Sequence, residues 1–531
     1  MELLLELLSL VPCFMYFMLK SSSALHMLQQ NWYNDGNRYI GWILKNINKV
    51  FVEVDLFFVV LGITIFLEPK FSIILFEIFY ALCFFMYKNK KEKEQVKKPL
   101  VYTKRVKRII LTEILLYAVL SYVLISFISV ANIYIIYLIL GLFVYLTYIV
   151  VLLANTINIP IEKMVGKYYM RKAKNKLASM SNLDVIGITG SYGKTSSKNI
   201  LNDILNVRYD VLATPKNFNT PNGLMITINN YLDKFTNLFI AEMGAFKEGE
   251  IKELCDFVHP KYGILTKIGT AHMDSFGSQE NIQKGKFELI ESLPSDGVGI
   301  LNADDPLQVS YELKNKCHII WIGIDNDADV KASNIKMTYQ GMSFDVTFKG
   351  DKTKYKFETK LLGVPNVYNI LAGIALGSYL GISKEELIRG VKKVKSIEHR
   401  LELKKYLDIN IIDDAYNSNP VGSKMALDVL NLMPGKKIIV TPGMIELGKE
   451  EYKLNMEFGR HIAEVCDEVI LVGEEQTKAI YDGLMDKKYN KEKIYIINDV
   501  KIAFNLMREL KGKEETYCLL ENDLPDIFNE R

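Results

Sequence analysis

Two hydrophobic patterns divide the chain. The first third is built from long apolar runs. Leu3–Leu19 is nearly continuous, broken by Glu6 and Pro12, and Phe51–Leu67 and Phe71–Tyr87 flank Glu68-Pro69-Lys70. Ile109–Val130 and Tyr134–Ala154 flank Ala131-Asn132-Ile133. A membrane span takes about 20 apolar residues, so the pattern predicts an α-helical transmembrane region of about five spans over 1–155. From residue 181 the runs become short and β-branched, with helical spacing between them. Val185–Thr189, Phe239–Glu242, Gly263–Lys267 and Val298–Leu301 read as buried parallel strands, and Asn199–Leu205 as a helix. After Arg400 a second alternation begins. Its strands are Asn410–Asp413, Lys437–Thr441, Glu468–Val472, Lys493–Ile497 and Thr516–Leu520, a Rossmann-like domain without GxGxxG. The fold class is α/β in two domains, 181–398 and 399–531, joined to the apolar region by a basic linker, 156–180.

Charge adds an orientation. Residues 88–108 carry ten Lys/Arg against Glu92 and Glu94, and 163–176 is also basic. The positive-inside rule puts both in the cytoplasm, predicting a multi-pass cell-membrane protein with cytoplasmic catalytic domains. The basic runs would then touch anionic membrane lipid. The first run lacks a basic n-region and a small-residue cleavage site, so it reads as a retained anchor rather than a signal peptide. Glu6, Glu53 and Asp55 fall near span ends, where snorkelling or helix–helix contact accounts for them better than a transport path. Over 531 residues, 65 Lys/Arg and 62 Asp/Glu leave a net charge of +3, which excludes a polybasic nucleic-acid coat. The six cysteines are scattered, with no CxxC or Cys/His cluster, which argues against structural zinc.

The chemistry starts at VIGITGSYGKTSSKNILNDIL (185–205). Strand, glycine turn, Lys-Thr-Ser and helix make a phosphate-binding loop over Gly190, Ser191, Tyr192, Gly193, Lys194, Thr195 and Ser196. Glycines let backbone N–H groups approach phosphate, and the helix N-terminus adds positive potential. Lys194 would bridge the β- and γ-phosphates, and the Thr195 hydroxyl would hold Mg²⁺. Glu242 ends a strand, where a carboxylate is well placed for Mg²⁺. His272 follows a strand in a glycine-rich loop, and beside Glu242 it reads as a metal ligand. Asn302 closes another strand. Polar strand ends gathered on one edge are where open α/β sheets bind ligands.

Further segments carry a resemblance. NFNTPNG (217–223), EMGAFKEGEI (242–251), TKIGTAHMDSFGSQENIQKGK (266–286), LNADDP (301–306), NVYNILAGIAL (366–376), EHRLE (398–402) and DDAYNSNP (413–420) follow the phosphate loop in order. Across residues 180–525 the chain resembles the Mur ligases, most closely the branch that adds D-alanyl-D-alanine to UDP-MurNAc-tripeptide. The resemblance implies an ATP- and Mg²⁺-dependent carboxylate–amine ligase working through an acyl phosphate. It implies catalytic roles for Lys194, Glu242, His272 and Lys286, with metal held by Thr195, Glu242, His272 and Lys286, the last as a carbamate. Gly285 stands where the family motif has Ala, and Lys284 is the neighbour to exclude. ATP contacts are implied for Asn302, Asn366, Asn369, Arg400 and Asp414, with Pro365 where the family often has His. Asn217 and Asn219 match a loop near the acceptor acid. Tyr416, Asn417 and Asn419 match one facing the amine substrate. The TPGMIELG segment (441–448) matches a further cleft loop.

The family's usual UDP-binding domain is not found, and the apolar region takes its place. The expected partners are a cell-wall peptide or lipid-linked precursor and an amino-acid or dipeptide amine. Two alternatives stay open: a polymer ligase resembling the poly-γ-glutamate synthetases, and a membrane ATPase or nucleotide sensor without ligase activity. Against the latter, Lys194, Glu242, His272, Lys286 and Asp414 are all present.

Overall fold

The computed structural model describes residues 10–61, 69–93, 99–128, 133–415, 419–445, 447–498 and 500–523. The chain divides into two compact units, Met1–Tyr168 and Tyr169–Arg531.

The first unit is helical, and the five-span reading is not met there. Among the described residues two helices, Lys104–Phe127 and Thr147–Ala178, are long and apolar enough to cross a membrane. A buried helix of a soluble core satisfies the same test, so two do not make a multi-pass domain. The other runs break for local reasons. Val11–Gln30 carries Lys20, three serines and His26 along its length. Residues 53–61 form a 3₁₀ turn and a four-residue helix, and residues 1–9 and 62–68 lie outside the described residues. Pro69–Lys93 ends in a basic turn, leaving only Phe71–Tyr87 between its charged ends. The last run splits at Leu146 into a 13-residue helix, Ile133–Tyr145, and the start of Thr147–Ala178. Its interior is partly polar. Lys20 is fully buried against Asp55, which also accepts from the Tyr16 hydroxyl at 2.6 Å. Asp55 is thus a contact between segments, and an uncompensated buried charge would be costly.

In the second unit, β1 (Asp184–Thr189), β2 (Val211–Ala213), β3 (Leu238–Glu242), β4 (Tyr262–Leu265), β5 (Val298–Asn302) and β6 (His318–Gly323) form a parallel sheet in the order β2-β3-β1-β4-β5-β6. The sheet continues through β7 (Val330–Thr338), β8 (Gly341–Phe348) and β9 (Tyr355–Thr359), an antiparallel extension absent from the sequence reading. Alternation along β1 sorts its side chains. Ile186 and Ile188 join Ile200, Leu201, Ile204 and Leu205 of the helix Lys194–Leu205 on one face. Val185 joins Phe287, Leu289 and Ile290 of the helix Gln279–Glu291 on the other. Both faces are buried, which is why these strands are continuously apolar. Gly187 lets the Leu289 side chain close against β1, since a Cβ there would lie 2.5 Å from Leu289 Cδ1 and force it to shift.

The C-terminal sheet has the order β10-β11-β15-β12-β13-β14, from β10 (Glu402–Tyr406), β11 (Ile409–Asp414), β12 (Lys436–Thr441), β13 (Glu468–Val472), β14 (Ile494–Ile497) and β15 (Thr516–Glu521). All pairs but β10–β11 are parallel. Every strand expected after Arg400 is present, with the β10–β11 hairpin added at one edge.

Candidate active site

The site is assembled where β1, β3, β4 and β5 end together. Register sets this alignment, with Ile188 opposite Glu242 and Thr189 opposite Leu265. Gly190 (φ 148°) and Gly193 (φ 82°) carry the turn from β1 into the helix Lys194–Leu205, in conformations that favour glycine. Thr266 leaves no room for a side chain at Gly190, and the Tyr192 ring leaves none at Gly269. Hydrogen bonds close the same seam. Ser191 N donates to Lys267 O at 2.9 Å, Thr266 Oγ1 to Tyr192 O at 2.7 Å and Ser191 Oγ to Gly269 O at 3.2 Å. Strand β4 therefore ends earlier than the sequence suggests, because the Lys267 carbonyl accepts from Ser191 N and Tyr192 N of the phosphate loop.

Lys194 Nζ donates to Gly190 O at 2.8 Å. Burial pushes its ammonium below the ordinary value, Glu242 draws it back up, and Arg400 adds repulsion. Thr195 and Ser196 open the helix, and Thr195 Oγ1 lies 3.2 and 3.1 Å from the two Glu242 oxygens. Glu242 is 1% exposed and takes two further donors, Asn219 Nδ2 at 3.2 Å and Lys198 Nζ at 3.0 Å. Lys198, missed in the sequence, falls on the buried stripe with Leu201 and Leu205. That stripe was the available signal.

His272 sits at φ 63° with its ring 4.5 Å from Phe246. Burial lowers its pKa to about 4, helped by the positive charges of Lys194 and Lys286. The imidazole is neutral at pH 7 and keeps a lone pair for a metal. Lys286 is 1% exposed while Lys284 is exposed, so the inward lysine is the one the family motif marks. Its Nζ donates to Ala245 O at 3.3 Å and lies 5.2 Å from the Phe276 ring centre. Burial, then Lys194, lower its pKa to about 7. A neutral amine is the form that reacts with CO₂. Gly285 replaces Ala for a steric reason, since a Cβ would stand 2.8 Å from Phe276 Cε1.

Thr195 and Glu242 offer hard oxygens, the donor chemistry that Mg²⁺ selects. Among the described residues no group of three or more His, Cys, Asp or Glu forms a metal cage. The residues fit a metal that keeps phosphate and water in its shell, the usual Mg²⁺ arrangement.

The remaining expected residues fall into three places. Asn302 Oδ1 accepts from Asp304 N at 2.9 Å, and Gln308, also missed, ties this turn to Thr266 O at 2.7 Å. Asn369 Nδ2 donates to Asn366 Oδ1 at 3.2 Å, and Asn369 Oδ1 lies 3.5 Å from the Cβ position of Gly193, against the phosphate loop. Asp414 Oδ1 accepts from Leu401 N at 3.2 Å. Burial raises the Asp414 pKa to about 6, against the pull of Arg400. Arg400 is flanked by His399 (φ 57°) and Leu401 (φ 49°), both left-handed. Asn217 is exposed on its loop. Asn419 caps the helix Pro420–Asn431, accepting from Gly422 N at 3.0 Å. Tyr416 and Asn417 lie outside the described residues. In the TPGMIELG segment, Asn455 holds Met444 N at 2.9 Å and Asn522 holds Gly443 O at 2.6 Å.

A phosphate loop, a strand-end carboxylate and a second α/β domain fit the class of ATP-dependent ligases. Comparison with known proteins agrees. The Mur ligase middle domain matches residues 188–377, and the Mur ligase, glutamate ligase domain matches 399–520. The UDP-N-acetylmuramoyl-tripeptide–D-alanyl-D-alanine ligase of Bacillus subtilis (strain 168) is 33% identical over 334 residues, 62% of this chain and 71% of that protein. The enzyme of the same name from Escherichia coli (strain K12) is 29% identical, over 55% of this chain and 65% of that protein. A crystal structure of MurF from Acinetobacter baumannii superposes with a TM-score of 0.60 at 25% identity, covering 67% of this chain and 77% of that one. MurF from Thermotoga maritima in complex with ADP gives 0.59 at 25% identity, covering 67% and 80%. The chain belongs to the Mur ligase family. It is an ATP-dependent peptide ligase, with ATP and Mg²⁺ as its cofactors. The relatives' names specify a UDP-linked muramoyl tripeptide, so the lipid-linked acceptor, the polymer-ligase and inactive-ATPase alternatives and the membrane-lipid partner are not supported. Among the described residues two helices qualify where five were expected, and the relatives' names specify a UDP-linked precursor, so the multi-pass membrane localisation is not upheld.

Proposed function

We propose that the chain joins the amine of D-alanyl-D-alanine to the terminal carboxylate of a UDP-linked muramoyl tripeptide. The observation that supports this reading is the 33% identity with the Bacillus subtilis ligase over 334 residues. In this reading 181–398 is the ATP-binding domain, 399–531 the C-terminal ligase domain and 156–180 the linker to a helical N-terminal region. Lys194 steadies the β- and γ-phosphates while the acceptor carboxylate attacks γ-phosphorus and ADP leaves. The amine then attacks the acyl carbon, loses a proton, and phosphate departs. Mg²⁺, when bound, offsets the repulsion between carboxylate and triphosphate. Thr195, Glu242, His272 and Lys286, the last as a carbamate, would hold it. Asn302 reads the adenine, Asn366 and Asn369 flank the phosphates, and Arg400 with Asp414 engages the nucleotide from the C-terminal domain. Asn217 and Asn219 face the acceptor; Asn419 and the neighbouring Tyr416 and Asn417 face the amine.

The test is phosphate release from ATP by the full-length chain, offered UDP-MurNAc-tripeptide and D-Ala-D-Ala, with Lys194→Ala as the blank. Release that needs both substrates, with the joined product seen by mass spectrometry, is the expected result. Nucleotide binding without substrate-dependent release would remove the assignment.

A further inference from the structure

Lys198 is the second lysine of the helix Lys194–Leu205, one turn beyond the phosphate lysine, and its side chain is 1% exposed. A lysine is almost never so buried unless paired. Its Nζ lies 3.0 Å from Glu242 Oε2 and also donates to the carbonyl of Lys216. One ammonium thus joins three elements: the phosphate-loop helix, the end of β3, and the loop that carries Asn217 and Asn219.

That loop is held in a conformation it would not choose alone. Lys216 sits at φ 48°, a left-handed backbone that a non-glycine residue keeps only when its surroundings enforce it. The bond from Lys198 to the Lys216 carbonyl fixes this turn from within. The rest of the loop is closed against β3 by neutral groups. Thr214 Oγ1 accepts from Glu242 N at 3.2 Å, and Asn219 O accepts from Gly244 N at 2.8 Å. A Cβ at Gly244 would stand 2.9 Å from Asn219 Cγ, so the Asn219 side chain lies directly against the backbone just beyond β3.

We propose that Lys198 is a positioning residue. It holds the Glu242 carboxylate and the 214–219 loop in one fixed arrangement, and so governs the affinity for the acceptor acid rather than for the nucleotide. Only the acceptor part rests on the ligase reading above.

The test compares Lys198→Met, Lys198→Gln and Lys198→Arg with the full-length parent chain. Hydrogen exchange of peptides covering 214–219 reads the loop, and calorimetric titration with ADP reads the nucleotide site. In Lys198→Met the loop amides should exchange at least about tenfold faster, while the ADP dissociation constant stays within about threefold. At saturating ATP the KM for UDP-MurNAc-tripeptide should rise about tenfold or more. Lys198→Gln keeps a donor without the charge and decides the matter in the same way if the Met variant does not fold. Lys198→Arg keeps the charge and should restore slow exchange. Unchanged loop exchange in both neutral variants, no rescue by Arg, or an ADP affinity that falls as far as that of the acceptor would each overturn the proposal. If the parent chain does not turn over the tripeptide, the ligase assignment fails while exchange and ADP binding still decide the role of Lys198.

Discussion

Gly285→Ala tests how the wall behind Lys286 is built. Gly285 lies in the middle of the helix Gln279–Glu291 and is buried. Added to an open helix position, the methyl would stabilise by about 1 kcal/mol. Here its carbon would stand 2.8 Å from Phe276 Cε1, 3.6 Å from Cζ and 3.7 Å from Glu248 Cα. Carbon atoms rest at about 3.5–4.0 Å, so the ring must retreat by roughly 0.7 Å. Phe276 is 5% exposed and has little space to do so. Overpacking of this kind costs about 1–3 kcal/mol, leaving a net loss of about 0–2 kcal/mol. The decisive measurement is a double-mutant cycle with Phe276→Leu. In the Leu background the clash is gone, and Gly285→Ala should become stabilising by about 1 kcal/mol, a coupling of about 1–3 kcal/mol. Calorimetry of the middle-domain transition reads this as roughly 2–4 °C per kcal/mol. Effects that add to within about 0.5 kcal/mol would refute the idea that Phe276 is what keeps Ala from this position.

Other outcomes follow from the same geometry. Lys194→Ala should lower kcat/KM for ATP by about 10³-fold or more in the phosphate-release assay, with the unfolding temperature little changed. Carbamate formation needs the neutral amine, and the Lys286 pKa of about 7 makes that fraction grow as pH rises. A ¹³C carbamate signal from labelled bicarbonate should therefore strengthen between pH 6 and 8 and vanish in Lys286→Met. Asp414 is held near pKa 6, above its unfolded value, so the folded state binds that proton more tightly and its ionisation destabilises the fold as pH rises. Asp414→Asn should thus unfold at a higher temperature than the parent at pH 7. The difference should shrink as pH falls from 6 towards 4, while ADP binding weakens at every pH.

The candidate edge was legible because its residues shape the fold as well as suit the chemistry. Glu242 ends an apolar strand, Gly190 and Gly193 turn the chain, and Thr195 opens a helix, so one pattern announces both. Lys198 was legible only in part: its stripe with Leu201 and Leu205 marks it as inward, but its role emerges only once Glu242 is placed beside it. The extension β7–β9 escaped because a register shift between Ser333 and Lys336 interrupts the alternation along β7. In the first third, counting apolar residues overestimated the spans. Composition does not reveal the break at Leu146 or the pairing of Lys20 with Asp55, and both depend on which segments pack together.

The seam between residues 190–193 and 266–269 has a thermodynamic consequence. Thr266 and Tyr192 occupy the space any side chain would need at Gly190 and Gly269, so both loops are ordered by the fold itself. Fixing a backbone residue costs about 1–2 kcal/mol of conformational entropy. Four residues that became ordered only on binding would withhold about 4–8 kcal/mol from the nucleotide, a thousandfold or more in affinity. Here the hydrogen bonds from Ser191 N to Lys267 O, Thr266 Oγ1 to Tyr192 O and Ser191 Oγ to Gly269 O tie the loops together during folding. Nucleotide binding should accordingly carry the calorimetric signature of a preformed site, with a favourable enthalpy and a small heat-capacity change.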